Sequence, residues 1–181
     1  MRLVDADTLK RLKKVRLLYE KAFPRNEKKP FGMILRGRKK GNYEVFAVEG
    51  DDGGFLGLAI TMRWGELVLL DYFAVAPECR GTGVGSQALR ALQKRYREKK
   101  LLLEIESTVG VEDQRDLRNR RKAFYLRNGM QSMDFLVNLF GVEMELMTCG
   151  CTVTFEEYHA IFEHLLPFGM AAKVKPAGSR L

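Results

Sequence analysis

The most informative segment of this 181-residue chain passes from an apolar, strand-like stretch through a short turn into the start of a helix. Its glycines alternate with other residues at Gly81, Gly83 and Gly85, and Ser86 follows. Glycines let a backbone approach a ligand without side-chain collision, and the first amides of a helix have no partner within the helix. Such a segment can bind phosphate. Glycines at this spacing also occur in plain turns, so the spacing alone leaves both interpretations open.

Two common nucleotide-binding motifs do not fit the segment. A Walker loop requires Lys and then Ser or Thr after its last glycine, whereas Gly85 is followed by Ser86 and Gln87. A dinucleotide fingerprint requires the spacing Gly-x-Gly-x-x-Gly, which is different from the spacing found here. Neither motif explains the glycines.

The whole segment, residues 73–86, resembles motif A of the GNAT acetyltransferases. In that motif an apolar strand ending in Ala-Val-x-Pro precedes Arg or Gln, two residues, Gly, one residue and Gly, and the sequence follows this pattern. The resemblance implies that acetyl-CoA binds with its pantetheine arm on the strand backbone and its pyrophosphate on the loop amides. Arg80 can add positive charge to the same region. The implied cofactor-binding residues are Phe73, Ala74, Val75, Arg80, Gly81, Thr82, Gly83, Val84, Gly85 and Ser86.

A second segment, residues 120–129, resembles motif B of the same family. Tyr125 precedes Gly129 by four positions, as in that motif. The resemblance implies that the phenol of Tyr125 donates a proton to the departing CoA thiolate, a general-acid role. Many family members carry an Asn seven residues before this Tyr, where it contacts the cofactor. This chain has Arg118 there and Asn119 next, so either of these two candidate residues could make the CoA contact.

The acceptor amine must lose a proton before it can attack a thioester. For a lysine-like amine at pH 7 this costs roughly 4 to 5 kcal/mol, so a carboxylate acting directly or through water is expected. Glu104 lies where relatives often place a general base. Asp71 is the second candidate, because a carboxylate in a buried strand is costly without a partner or a task. Glu106 ranks third.

The apolar patterns predict one α/β domain, in some schemes α+β, with a mixed, mostly antiparallel sheet flanked by helices, as in the GNAT fold. Residues 1–166 are predicted to form a single acetyltransferase domain, and residues 167–181 a basic, mobile tail. The predicted elements are a helix over 4–22, a loop with at most a helical turn over 24–40, strands over 43–48, 55–63 and 66–75, a helix following the glycine loop, a strand over 101–106, a helix over 114–127, strands over 133–140 and 142–147, and a helix beginning with a capping box of Thr154 and Glu157.

The predicted function is acetyl transfer from acetyl-CoA to a primary amine. The charge of the chain is also compatible with other functions. The net charge of +8 and the pI near 9.5 favour anionic ligands, including nucleic acid. The sequence shows no recognised RNA- or DNA-binding motif, so nucleic-acid binding ranks below a CoA-binding regulatory module without turnover. The acceptor side is expected in residues 23–35, whose side chains do not define one amine among small molecules or peptides.

The remaining features predict an ordinary intracellular protein. The sequence has no leader and no run of roughly 18 apolar residues that could span a bilayer, so we expect a cytoplasmic protein without membrane contact. Cys79, Cys149 and Cys151 lack metal-site spacing and are predicted to be reduced thiols. The two histidines lie in the C-terminal helix, and no metal is predicted. The oligomeric state stays open, with a homodimer as one option.

Overall fold

The computed structural model describes residues 1–25 and 27–179. Arg180 and Leu181, the end of the predicted tail, lie outside the described residues. The chain divides into two compact units, one formed by Met1–Arg63 and Leu70–Arg95, the other by Trp64–Leu69 and the chain from Tyr96 onward. Within the described residues, no helix is both long enough and apolar enough to cross a bilayer.

Five α-helices and eight β-strands occur in these residues. The helices are α1 (Leu9–Ala22), α2 (Phe31–Lys39), α3 (Val84–Arg95), α4 (Leu117–Arg127) and α5 (Phe155–Leu165). The strands are β1 (Arg2–Asp5), β2 (Tyr43–Glu49), β3 (Phe55–Trp64), β4 (Leu67–Val75), β5 (Lys100–Glu106), β6 (Gln131–Leu139), β7 (Val142–Thr148) and β8 (Val174–Ser179). Their order in the sheet is β1-β2-β3-β4-β5-β7-β6-β8. The pairs β1–β2, β2–β3, β5–β7, β6–β7 and β6–β8 are antiparallel, which confirms the predicted sheet.

The first unit differs from the sequence prediction at both of its N-terminal helices. The predicted helix over 4–22 begins only at Leu9, because Arg2–Asp5 pairs with β2 as a strand and Thr8 caps the helix. The predicted loop over 24–40 contains the nine-residue helix α2. Its Gly37 obscures the helical pattern, and a Cβ there would lie 2.3 Å from the ring of Tyr43. The glycine is therefore required by close packing rather than by a turn.

The second unit follows the prediction more closely. The strands predicted over 101–106, 133–140 and 142–147 are present as β5, β6 and β7, and the capping box of Thr154 and Glu157 starts α5. The helix predicted over 114–127 begins later, at Leu117, because the side chain of Asp116 accepts a hydrogen bond from the Arg118 amide and caps it.

Of the predicted mobile tail, residues 167–181, the described residues 167–179 differ from that expectation. Val174–Ser179 forms β8, which pairs antiparallel with β6. Pro176 and Gly178 are poor strand formers, so the local sequence does not indicate a strand. The backbone groups of β6 supply the hydrogen-bond partners that order this segment.

Candidate active site

The glycine loop joins β4 to α3 through a short 3₁₀ turn at Pro77–Cys79. The hydroxyl of Thr82 donates a 2.7 Å hydrogen bond to the Cys79 carbonyl, and Nε of Arg80 donates one of 3.3 Å to the Val75 carbonyl. These bonds fix the turn within the loop itself. Arg80 is exposed, and its guanidinium carries more N–H donors than this one bond uses.

The loop backbone has the conformation that an anion site requires. Gly81 has φ 78° and Gly83 has φ 82°, in the left-handed region that favours glycine. A Cβ on Gly81 would meet nothing within 4 Å, and one on Gly83 would meet only the end of the Gln87 side chain at 4.0 Å. The amide of Gln87 makes the first i→i−4 bond of α3, to the Gly83 carbonyl, so the amides before it have no such partner. Open space beside free amides fits a pyrophosphate.

The end of β4 lies unusually close to β3. A Cβ on Gly57 of β3 would be 2.5 Å from the carbonyl oxygen of Ala74, and the Ala76 amide donates to the Leu56 carbonyl at 2.8 Å. Phe73, Ala74 and Val75 are each half-buried. The backbone of β3 therefore packs directly against the C-terminal end of β4, with no room for a side chain at Gly57.

Asp71 of β4 forms a buried ion pair with Lys29, which precedes α2. The Lys29 ammonium lies 2.6 Å from Oδ1 of Asp71, and the two side chains are 16% and 6% exposed. Oδ2 of Asp71 and the hydroxyl of Tyr43 are both buried without a hydrogen-bond partner among the described residues. Asp71 thus has the charged partner that a buried carboxylate is expected to have, and its Oδ2 stays available to accept a hydrogen bond.

Two phenols hold the backbone of Lys29 on either side. The hydroxyl of Tyr72 accepts a 2.9 Å hydrogen bond from the Lys29 amide, and the hydroxyl of Tyr19 donates one of 2.8 Å to the Lys29 carbonyl. The rings of Tyr19 and Tyr72 pack edge to face with centroids 4.8 Å apart. Burial, followed by the nearby charge of Asp71, raises the pKa of Tyr72 and of Tyr43. Tyr19 and Tyr72 thus hold the Lys29 backbone, and the charge of Asp71 acts on both Tyr72 and Tyr43.

Glu104 lies on β5, half-buried, in the second unit. The hydroxyl of Tyr158, on α5, donates a 2.5 Å hydrogen bond to its Oε1. Tyr158 is fully buried, and the sequence analysis did not identify it as a site residue. Its distance of 54 residues from Glu104 leaves no local signal for the pair.

Tyr125 lies near the C-terminal end of α4 and is half-buried. Burial raises the pKa of its phenol to about 12, and the charge of Arg121 acts in the opposite direction. Its ring packs edge to face on Phe124, with centroids 5.1 Å apart. The phenol therefore keeps its proton at neutral pH.

Helix α4 makes an ion pair with a buried carboxylate of β7. None of its eleven residues, all of which the structure describes, is buried. Lys122 instead reaches Glu145 of β7, with Nζ 2.8 Å from Oε2, and the Glu145 side chain is 0% exposed. Thr108 donates to Oε1 of Glu145 from its amide at 2.8 Å and from its hydroxyl at 2.6 Å. Sequence reasoning missed this cluster, although a carboxylate at Glu145, between the apolar Met144 and Leu146 of β7, is a signal.

The two predicted CoA contacts on α4 are engaged locally. Arg118 donates two hydrogen bonds to the carboxylate of Asp116, and these bonds, more than the charge of Asp116, raise the pKa of Arg118. Nδ2 of Asn119 donates to the carbonyls of Val111 and Asp113, at 3.0 and 2.8 Å. Their contact with CoA stays a prediction. Asp71 and the glycine loop belong to the first unit, and Glu104, Glu106 and Tyr125 to the second.

Oε1 of Glu106 lies 3.9 Å from the exposed guanidinium of Arg121. This contact is longer than the hydrogen bond that Tyr158 donates to Glu104. Across residues 1–25 and 27–179, no group of three or more His, Cys, Asp or Glu side chains is arranged to hold a metal ion.

Comparison with solved structures gives the same fold. A protein assigned to the GNAT acetyltransferase family from Bacteroides thetaiotaomicron has a TM-score of 0.73 at 23% identity, covering 91% of this chain and 96% of that one. An aminoglycoside 6'-N-acetyltransferase complexed with coenzyme A has a TM-score of 0.66 at 15% identity, covering 85% and 100%. A spermidine N-acetyltransferase chimera from Vibrio cholerae and hSSAT has a TM-score of 0.61 at 16% identity, covering 82% and 96%.

At these identities the structures establish the fold alone, and a search of curated proteins gives no match. The family assignment comes from the sequence itself, because the model of the acetyltransferase (GNAT) domain matches residues 41–131, just over half of the chain. The matched range contains β4, the glycine loop, Glu104 and Tyr125. With the loop geometry, this match shows that the chain belongs to the GNAT acetyltransferase family, whose acetyl donor is acetyl-CoA.

Proposed function

We propose that the chain transfers the acetyl group of acetyl-CoA directly to a primary amine, with Glu104 as general base and Tyr125 as general acid. The observation that carries the proposal is the loop from Gly81 to Ser86, with two left-handed glycines, free space above them and helix amides without partners. In the proposal these amides bind the pyrophosphate and Arg80 adds charge. The backbone of Phe73–Val75 pairs with the pantetheine arm.

Glu104 is the base in this proposal because its carboxylate is half-buried and accepts a hydrogen bond from the hydroxyl of Tyr158. The hydrogen bond from Tyr158 stabilises the charged form of the carboxylate and fixes its orientation. Asp71 stays the reserve candidate, since the ammonium of Lys29 occupies one of its oxygens. In this proposal Tyr158 is a positioning residue, because its hydroxyl holds the carboxylate of Glu104.

We expect Glu104→Gln to lower kcat by about 10²-fold near neutral pH, at the lower end of general-base effects. The deficit should shrink as pH rises, because a larger fraction of the acceptor is then already a free amine. Tyr158→Phe should keep the base but shift the acidic limb of the profile to higher pH, since the charged carboxylate loses a donor. The measurement is kcat against pH for both variants and for Asp71→Asn. Profiles of wild-type shape in both carboxylate variants would place deprotonation in solution.

We expect Tyr125→Phe to lower kcat by about 10²-fold while acetyl-CoA affinity changes little, because the ring still packs on Phe124. With a pKa of about 12, the wild-type phenol keeps its proton through pH 10, so it should cause no decline in rate below that pH. Single-turnover kinetics measured beside a melting curve test this role. A variant that melts normally and turns over at the wild-type rate removes Tyr125 from the mechanism.

The acceptor is proposed to be a primary amine, of a small molecule or a peptide. Two proteins of the same fold are an aminoglycoside 6'-N-acetyltransferase and a spermidine N-acetyltransferase chimera, so an aminoglycoside and spermidine belong in a first panel beside a peptide. Release of CoA thiol with any of them supports the transferase. Binding of acetyl-CoA without release on a broad panel would instead favour the CoA-binding module without turnover.

Three further predictions concern the extent of the domain, the cellular location and the oligomeric state. We propose that residues 1–166 act as one acetyltransferase domain, because the family match contains residues of both compact units. A cytoplasmic location is supported by three free cysteines, Cys79, Cys149 and Cys151. A homodimer stays a prediction of the sequence.

A further inference from the structure

We propose that Lys29 is itself an acetyl acceptor, modified by the acetyl-CoA bound to its own chain. This inference rests on the proposed function. Its starting observation is that a primary ammonium, the chemical group that the enzyme acetylates, lies 2.6 Å from one candidate base, Asp71. The ammonium also lies 5.4 Å from the centroid of the Tyr72 ring.

Lys29 is held in this place at several points. Its amide and carbonyl are bound by the phenols of Tyr72 and Tyr19, and its ammonium by Asp71. The adjacent Lys28 is held differently, with its ammonium 2.8 Å from the carboxylate of Glu20. Of these two neighbouring lysines, only Lys29 is directed to β4.

The order of groups along β4 brings the acetyl donor towards the same point. The glycine loop follows the C-terminal end of β4, so a donor whose pyrophosphate lies in the loop extends back along Val75 and Phe73. Asp71 is two residues further in that direction. Oδ2 of Asp71 is buried and has no hydrogen-bond partner within residues 1–25 and 27–179, so it can accept a proton without losing a bond to any of them.

The chemistry is that of the proposed reaction, with Lys29 as the amine. The ammonium gives one proton to Asp71, and the free Nζ attacks the thioester carbonyl carbon. The C–S bond breaks as the amide C–N bond forms, and CoA leaves as a thiolate. The nitrogen loses two protons in all, one of which ends on the CoA sulfur while the other passes through Asp71 to solvent. The products are Nε-acetyl-Lys29 and CoA, and no redox partner is required.

The test incubates the full chain with acetyl-CoA and no external amine, and follows each lysine by peptide mass spectrometry. Lys29 should be acetylated at least about tenfold faster than Lys28, because a tethered amine has a high effective concentration. The first-order rate should not depend on protein concentration, as an intramolecular step requires. Asp71→Asn should slow Lys29 labelling, whereas Lys28→Arg should leave it unchanged.

Gly83→Val separates this reaction from solution chemistry, since it should remove Lys29 labelling and spare slow acetylation of exposed lysines. Equal labelling of Lys28 and Lys29, undiminished Lys29 labelling in Gly83→Val, or a rate proportional to protein concentration would each overturn the proposal. If external amines are acetylated while Lys29 stays unmodified, the proposal fails and the proposed function stands. If acetyl-CoA does not bind, both fail. Circular dichroism of each variant confirms that the chain compared is folded.

Discussion

Gly83→Val should abolish acetyl-CoA binding while the chain stays folded. Gly83 has φ 82°, and a β-branched residue is strongly disfavoured in that left-handed conformation. The loop must therefore change its backbone path, which removes the amides of the α3 N-terminus from their common direction. Isothermal calorimetry with acetyl-CoA should show no heat of binding for the variant.

Gly53→Val is the matched control for this result. Gly53 has φ 77° and free space around its Cβ position, but it lies in the turn between β2 and β3. The control therefore carries the same backbone strain without touching the loop, and it should bind acetyl-CoA as the wild type does. Unchanged affinity in a folded Gly83→Val variant would refute the loop as the cofactor site.

Lys122→Met should destabilise the chain by about 3 to 5 kcal/mol, the usual effect of removing one partner of a buried ion pair. The carboxylate of Glu145 is 0% exposed and would lose the counter-charge of Lys122, while the hydrogen bonds from Thr108 stay. Chemical denaturation measures the free energy of unfolding. Hydrogen exchange should show the amides of α4 losing protection first, because apolar burial does not hold this helix.

Lys99→Met is the control for the loss of a lysine ion pair. Lys99 lies 2.7 Å from Glu66, but the two side chains are 34% and 69% exposed, so the expected effect is about 0 to 1 kcal/mol. Replacing Lys122 and Glu145 together, by Met and Leu, should recover much of the lost stability, because no unpaired buried charge remains. Equal effects of Lys122→Met and Lys99→Met would show that α4 is held in another way.

The sequence was sufficient where the chemistry is local. Residues 73–86 carry strand, turn and helix signals within one short segment, and the structure has the same three parts. The sequence was insufficient at α2, because Gly37 is present for its contact with Tyr43 and conceals the helix. Similarly, β1 forms because Arg2–Asp5 pairs with β2. The sequence of these four residues does not indicate that pairing.

The partners of the candidate carboxylates show the same limit. A single sequence indicates that a carboxylate in an apolar strand needs a partner, as it did for Asp71. It cannot indicate which partner, because Lys29 is 42 residues away in the chain and Tyr158 is 54 residues from Glu104. These contacts depend on the packed arrangement, which the local pattern does not contain.

The strand β8 also has a consequence for how copies of the chain can associate. It stands last in the strand order, and it carries an exposed lysine, Lys175, beside Pro176. Charged residues and prolines on an outer strand oppose the addition of a further strand, which is the route by which sheets aggregate. Strand β8 thus covers the edge of β6, and removing β8 would expose β6, which is a longer and more apolar edge strand. Any homodimer should therefore use a surface other than this edge.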